Sequence, residues 1–291
     1  MSRDAPGIGE WALGLLRGPS LDQLSDPSNS NPILTGKDFA AWNGRALADP
    51  FVIQRNGFWY VFFELFLCNT PNAVIGAARS KNLRDWEPIG PVLEQPHHLS
   101  YPFVFEHGGQ VYMMPESKSV KRVDLYRAVE FPNRWVFEKT LLRGPYMDCS
   151  LVKHRGGYWI FAGWRSYFLR LFYATNPLGP WKSHWLPIAK SYCKASTRPG
   201  GRPIQWNDQL IRFAQDNTDY YGQQLRAWQV TRMNRLWYSE VPLFDKPILQ
   251  GAGSDRVWNG RCMHHIDPFL FQSSENGNGA LEIVALVDGC A

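Results

Sequence analysis

Four stretches of the chain share one pattern of apolar and polar positions: an apolar strand, a polar turn, then an aromatic-rich strand. Residues 49–64 read DPFVIQRNGFWYVFFE, 101–116 YPFVFEHGGQVYMMPE, 148–163 DCSLVKHRGGYWIFAG and 201–216 GRPIQWNDQLIRFAQD, and the four align without gaps. Runs of this length joined by Asn-Gly, Gly-Gly or Asn-Asp predict β-hairpins. A fifth copy begins at Asp267, takes a longer turn from Ser273 to Gly279, and continues through ALEIVALVDG.

The segment after each hairpin also repeats. VIGAARSKNLRDWEPIGPVL, VDLYRAVEFPNRWVFEKTLL and LRLFYATNPLGPWKSHWLPI each predict a strand, a Pro/Asn/Gly turn, a Trp and a strand, and QLRAWQVTRMNRLWYSEVPL is a looser fourth. Trp86, Trp135, Trp181 and Trp237 mark the start of each unit's last strand. Four strands per unit at a spacing of about 50 residues is the period of a propeller blade. The expected fold is therefore all-β, a five-bladed β-propeller in one domain. Its blades fall at approximately 49–95, 96–146, 147–195, 196–250, and 262–291 plus 9–36. The last blade takes its two outer strands from the N-terminus, from EWALGLLRGPSLDQL and NPILTG, which closes the ring and leaves no open sheet edge there. A helix over 9–17 also fits the local pattern, but the repeat outweighs it.

Composition narrows the function. Aromatic residues make up 14% of the chain, 13 of them Trp, which suits broad sheet packing and equally a surface on which sugar rings stack. Trp59, Trp159 and Trp164 are assigned to packing between blades. The net charge of +5 is spread along the chain without a Lys/Arg stripe, so no nucleic-acid partner is expected. The five cysteines are an odd number, widely spaced and without a CxxC pair, and read as thiols of a reducing compartment rather than a disulfide frame or zinc site. The N-terminus lacks the basic cap and continuous apolar run of a secretory signal, and no run approaches the ~18 apolar residues of a membrane span. A cytoplasmic location is the expectation.

The repeat also places chemistry. First and last residues of an antiparallel hairpin are neighbours at one end of the sheet, and the first strand of every blade lines the axis. The first positions are Asp49, Tyr101, Asp148, Gly201 and Asp267, and the last are Glu64, Glu116, Gly163, Asp216 and Asp288. Seven carboxylates are thus expected around one mouth, where like charges would raise some pKa values and let an acid and a base coexist. Taken singly, each could instead accept backbone hydrogen bonds in a turn. His97–His98 and His264–His265 precede blades two and five, and Arg198, Arg202, Arg212, Gln215 and Tyr221 fall near the same end. The His spacing is not that of a metal motif, so sugar hydroxyls are the expected partners and no metal is assigned. The arginines either neutralise the mouth or clamp an anionic group. RPGG is not followed by a helix and lacks the Lys-Ser/Thr of a phosphate loop, so no nucleotide cofactor is expected.

With the repeats in place, the chain resembles the five-bladed propeller domain at the N-terminus of plant glucosamine inositolphosphorylceramide transferases and its stand-alone bacterial relatives. The carrying residues are ADPF (48–51), HHLSYPFVF (97–105), YMMPE (112–116), LYRAVEFPNRW (125–135), NPLGPW (176–181), GGRP (200–203) and HHIDPF (264–269), spread over nearly the whole length. The resemblance implies the wider superfamily of family-43 glycoside hydrolases. In the plant proteins it assigns the transfer chemistry to a separate C-terminal domain. Against the family-43 pattern, Asp49 matches the blade-one base and Asp148 the blade-three Asp that tunes the acid. The acid itself, a Glu opening blade four, has no match, because that place reads GGRPIQ with Gly201 and Arg202. Glu116 or Asp267 then takes the acid role, or the site does not hydrolyse glycosides; Arg202 would suit a phosphorylated or acidic sugar.

The expected function is that of a carbohydrate-active enzyme of glycoside hydrolase-like type, acting on a glycan or glycoconjugate. Asp49 is base or nucleophile, Glu116 the acid, and Asp148 and Asp267 tune or position. Glu64, His98, Tyr101, Arg202, Arg212, Gln215, Asp216, Tyr221, His264 and His265 hold sugar hydroxyls or an anionic group. The alternative is a non-catalytic glycan-binding propeller module associated with glycosyltransfer. A propeller used for protein assembly fits less well, because the mouth is polar rather than apolar.

Overall fold

Two-residue turns organise the chain. Asn56-Gly57, Gly108-Gly109, Arg155-Gly156 and Asn207-Asp208 all carry positive φ at both positions, the type I′ geometry whose twist matches that of the strands it joins. In the third hairpin the turn is Arg155-Gly156, not the Gly pair, and in the fourth it falls one residue earlier than the alignment places it. Gly57 has open space around its Cα, so the conformation and not crowding favours glycine there.

The computed structural model describes residues 11–291 apart from 27, 166, 187–188, 192, 255 and 273–280. The strands pair antiparallel in five sheets, and the chain is a five-bladed β-propeller. Blade one comprises Gly44–Arg55, Phe58–Leu67, Val74–Ser80 and Trp86–Leu93. Blade two comprises Ser100–His107, Gln110–Glu116, Arg122–Glu130 and Arg134–Arg143. Blade three runs Tyr146–His154, Gly157–Trp164 and Phe168–Ala174, with short outer pieces Lys182–Ser183 and Lys190–Ser191. Blade four has a first strand broken into Arg198–Pro199 and Ile204–Trp206, then Gln209–Asp216, Gln224–Met233 and the outer Tyr238–Pro242 and Leu249–Gln250. The Trp positions stand at the start of the outer strands as the repeat predicts. The indole N–H of Trp86 donates to Leu83 O (3.1 Å) and that of Trp135 to Pro132 O (2.8 Å), which ties each turn to the strand after it.

Blade five holds Ile266–Gln272 and Leu281–Cys290, and its third strand is Trp11–Gly18, paired from Trp11↔Cys290 to Gly18↔Ile283. The N-terminus closes the ring with a strand, not a helix. The second expected outer strand is only a pair of bridges, Leu13↔Leu34 and Arg17↔Ser25. Between them the Asn31 side chain replaces the backbone ladder: Leu15 N donates to its Oδ1 (2.8 Å) and its Nδ2 donates to Leu15 O (2.9 Å). Residues 9–10 and the predicted turn from Ser273 to Gly279 lie outside the described residues.

Aromatic rings fill the wedges between blades. Phe62 of blade one meets Trp135 of blade two edge-on at 5.5 Å, and Trp59 of blade one stacks on Phe269 of blade five at 4.8 Å. Trp159 packs with Leu210, Met233 and Tyr238 of blade four. Each such ring contributes roughly 1.5–3 kcal/mol through burial. Trp164 differs, since Arg165 and Arg170 lie over its ring at 4.6 and 5.7 Å. No helix among the described residues is long and apolar enough to cross a membrane.

Candidate functional site

In blades one, two and three the first strand breaks register at a matching place, between Ala48 and Phe51, Ser100 and Phe103, and Met147 and Ser150, and blade one has a further break between Gly44 and Ala46. Asp49 (φ 54°), Tyr101 (φ 46°) and Asp148 (φ 49°) occupy the matching breaks in the left-handed region. That conformation costs an L-residue about 1–2 kcal/mol. The same cost at the same repeat position in three blades marks a ring where aim matters more than backbone ease.

Asp49 is buried, and its Oδ1 has no hydrogen-bond partner. His265 Nδ1 lies 3.6 Å and His264 Nε2 4.0 Å from that oxygen. Burial pushes the Asp49 carboxyl well up; the His264 charge opposes this, and the Glu64, Asp148 and Asp288 charges reinforce it. Glu116 is also pushed well up, by burial and then by Asp148, against the Arg198 charge. Its Oε2 accepts the Asp148 N–H at 2.9 Å, so the blade-two carboxylate touches the blade-three turn directly. Asp148 is held by the Arg198 guanidinium and by Gln215 Nε2 (2.9 Å), and Arg198 lies over the Tyr221 ring at 5.1 Å. Glu64 is raised by burial, while His98, whose Nε2 is 2.9 Å from it, pulls it back. Burial pulls the His98 pKa down, and the Glu64 hydrogen bond and charge more than reverse this.

Asp288 organises the part of the ring next to Asp49. Its oxygens accept the backbone N–H groups of Asp49 (3.1 Å), His264 (3.1 Å) and His265 (3.0 Å), as well as His264 Nδ1 at 2.9 Å. Burial works against the charged forms of both partners, but their attraction wins: Asp288 is lowered and His264 is raised to about 9. His264 Nε2 is 3.1 Å from the Tyr221 hydroxyl, and its ring packs on Trp11 at 4.4 Å. Ligand atoms of Asp49, His264 and Asp288 all lie within 4.8 Å of one another. An imidazolium at His264 already supplies positive charge there. His265 behaves in the opposite way: burial lowers it to about 4, and its Nε2 donates to Pro50 O at 3.0 Å.

The geometry therefore gathers Asp49, Glu64, His98, Glu116, Asp148, Gln215, Tyr221 and His264, with Asp288 and Arg198 as further members. Tyr101 faces inward beneath them: its hydroxyl accepts Gly201 N–H (2.7 Å) and lies 2.7 Å from Ser150 Oγ. Four expected members, Asp216, Arg212, Asp267 and Arg202, lie elsewhere. Asp216 turns to Arg226 (2.7 Å), Gln224 (2.8 Å) and Thr218 within blade four. Arg212 is buried against Glu240 (2.5 Å), Tyr238 and Ser196 O. Asp267 pairs with Arg202 at 2.6 Å and accepts Val52 N–H at 2.6 Å, because blade five keeps unbroken register where blades one to three bulge. Arg202 directs its remaining donors to Val104 O (3.0 Å) and Val52 O (3.4 Å) and lies over the Phe103 ring at 4.7 Å. It is a tie across the axis, not the clamp for an anion that its sequence position implied.

The blade-four position is closed as well as empty of carboxylate. Gly201 sits at φ 145° and bridges to Ile266, and a Cβ built on it would fall 1.8 Å from Ile266 O. No side chain fits there without moving the joint between blades four and five. A separate cavity of about 280 Å³ between blades three and four, lined by His154, Tyr158, Trp159, Tyr173, Met233 and Arg235, includes none of the ring's carboxylates.

Comparison with solved structures shows the same fold at low identity. A family 117 glycoside hydrolase, Zg3597, from the marine bacterium Zobellia galactanivorans matches with a TM-score of 0.56 at 13% identity, over 98% of this chain and 92% of that one. A putative glycoside hydrolase from Parabacteroides distasonis gives 0.62 at 13%, over 90% and 95%. CoXyl43, a β-xylosidase/α-arabinofuranosidase from a compost microbial metagenome, gives 0.59 at 14%, over 75% and 79%. Among curated proteins, glucosamine inositolphosphorylceramide transferase 1 of Arabidopsis thaliana is 33% identical over 307 aligned residues, covering 97% of this chain and 39% of the relative. Its counterpart in Oryza sativa subsp. japonica is 34% identical, covering 90% of this chain and 38% of the relative. The chain thus spans well under half the length of these plant relatives. Residues 10–289 match the family described as the N-terminal part of glucosamine inositolphosphorylceramide transferase 1, and the chain belongs to that family.

Proposed function

We propose that the chain is a carbohydrate-active propeller of glycoside hydrolase-like type, binding a glycan or glycoconjugate at the ring of carboxylates. One observation carries this reading: Asp49 and Glu116 are both driven toward the protonated form, by burial and by the charge of an Asp148 fixed by Arg198. Each feels the Asp148 charge, and a ring that keeps some carboxyls protonated beside others that stay ionised holds an acid together with a base. Glycosyl chemistry needs that combination. Glu116 donates its proton to the leaving oxygen, and Asp49 activates water or attacks the sugar. Asp148 holds the Glu116 pKa up by its charge, and the Asp288–His264 pair fixes the Asp49 backbone. An anionic group on the glycan would meet Arg198 and His264 rather than Arg202. The names of the relatives and of the structural neighbours all belong to glycan chemistry, which supports the ligand class.

A second reading, glycan recognition without turnover, draws on Gly201, where the joint with Ile266 leaves no room for a blade-four acid. One experiment separates the two. The wild type and the double variant Asp49→Asn/Glu116→Gln are screened by thermal shift against neutral glycans, uronic acids, sugar phosphates and nucleotide sugars, and hits are followed by product analysis. The expected outcome is a ligand that stabilises both proteins and is turned over only by the wild type, with the variant slower by at least about 100-fold. Binding to both without product selects the recognition reading. If no glycan shifts either protein, both readings fail.

A further inference from the structure

Two of the five cysteines, far apart in sequence, meet in space. Cys262 lies just before His264–His265, and Cys290 ends the second strand of blade five. They form an antiparallel bridge of their own, with Cys290 N donating to Cys262 O (3.0 Å) and Cys262 N to Cys290 O (3.4 Å). Residues opposed in this way hold their Cα atoms about 5.5 Å apart, inside the roughly 4.4–6.8 Å that a disulfide spans. Their side chains leave on the same face. Both are fully buried in a small cluster with Trp11 and Ala46, and the two thiols hydrogen-bond to each other. The other three cysteines differ: Cys68 is exposed, Cys193 half-buried, and Cys149 is buried in blade three.

We propose that Cys262 and Cys290 are a disulfide-forming site, a covalent clasp between the last strand and the segment that carries His264. The Cys262 thiolate attacks a small disulfide such as oxidised glutathione and expels one glutathione thiolate. Cys290 then attacks the Cys262 sulfur of the mixed disulfide and expels the second. Two cysteine sulfurs are oxidised, one disulfide co-reactant is reduced to two thiols, and the two thiol protons pass to the leaving thiolates or to solvent. Cys262 attacks first because the Cys290 hydrogen bond lowers its pKa, against burial and with help from the His264 and Arg261 charges. Burial of the pair confines the exchange to folding or to local opening of the strand end. His264 and Asp288 each stand two residues from a clasped cysteine, so oxidation would hold the ring's ion pair in register whatever the ring binds.

The test refolds the full chain in a mixture of oxidised and reduced glutathione, alkylates the remaining thiols, and maps linked peptides by mass. The expected result is a Cys262–Cys290 linked peptide pair, two hydrogens lighter than its thiol form and separated by dithiothreitol. The unfolding midpoint should rise by roughly 5–10 °C, a rise absent from Cys290→Ser. Alkylation of both cysteines in the refolded protein overturns the proposal, as does linkage of either one to Cys68, Cys149 or Cys193. A linked pair with an unmoved midpoint overturns the clasp. The mapping uses the natural sequence, so its result stands even if Cys290→Ser fails to fold.

Discussion

His264 stands between two carboxylates and bonds to only one of them. Asp288 takes its Nδ1 at 2.9 Å, whereas the Asp49 oxygen stays 4.0 Å from its Nε2. The folded-state pKa of about 9 lies above the ordinary value of 6.5. The stabilisation it brings is therefore fully present below pH 6.5 and is lost as pH rises through 9. Asp288 acts at the other end of the scale: its lowered pKa stabilises the fold above the usual 3.8 and ceases to do so as pH falls through its folded value. Urea unfolding of the wild type at pH 6.5 and pH 10 should show a loss of about 3 kcal/mol attributable to this pair. His264→Gln should lack that part of the loss. Equal losses in both proteins would mean that His264 is not held as an imidazolium. Asp49 and Glu116 act in the reverse sense, because raised carboxyl pKa values cost stability once pH exceeds the ordinary carboxylate range. A ring that keeps such groups gives up stability at neutral pH.

Single strands decide which of these residues can meet. Deleting residues up to Gly18 removes the strand Trp11–Gly18 and bares one edge of Leu281–Cys290, which keeps only its pairing with Ile266–Gln272. An unpaired apolar edge recruits other chains. The truncated protein should melt roughly 10 °C or more below the full chain, or elute as aggregates on size exclusion, and a peptide of residues 11–20 should recover part of the loss. An unchanged midpoint would show that this strand does not close the ring. The closure was legible in the sequence because the hairpin copies left one unit short by two strands. The aim of the site residues was less legible. Gap-free windows treat every hairpin alike, but side-chain direction alternates along a strand, so one extra residue reverses it. Blades one to three carry that extra residue, which brings Asp49 and Asp148 to the ring and Tyr101 beneath it, against Gly201 and Ser150. Blade five lacks the extra residue, which sends Asp267 to Arg202. Blade four breaks its first strand and turns one residue early, so Gln215, not Asp216, reaches Asp148. Asp288 sat at an aligned last position, but nothing in composition or spacing announced that it would accept three backbone N–H groups.

At the scale of the whole molecule, Arg202 joins four blades. It stands in blade four, pairs with Asp267 of blade five, and donates to carbonyls of blades one and two. Removing it in Arg202→Met leaves Asp267 buried without its partner, which should cost about 3–5 kcal/mol in denaturant unfolding. Replacing both, as in Arg202→Met/Asp267→Leu, should recover most of that loss. A single variant as stable as the wild type would deny the tie its role. Around Arg202 the axis is filled: Phe51, Tyr101, Phe103, His265 and Asp267 are all buried at that level.

Among the described residues, this filled layer closes the axis at the level of Arg202 and separates the ring of carboxylates from what lies beyond it. On the proposed reading, a glycan reaches the ring from one side and is not threaded along the axis past Arg202. Whatever enters must also depart by the same door before the next can arrive.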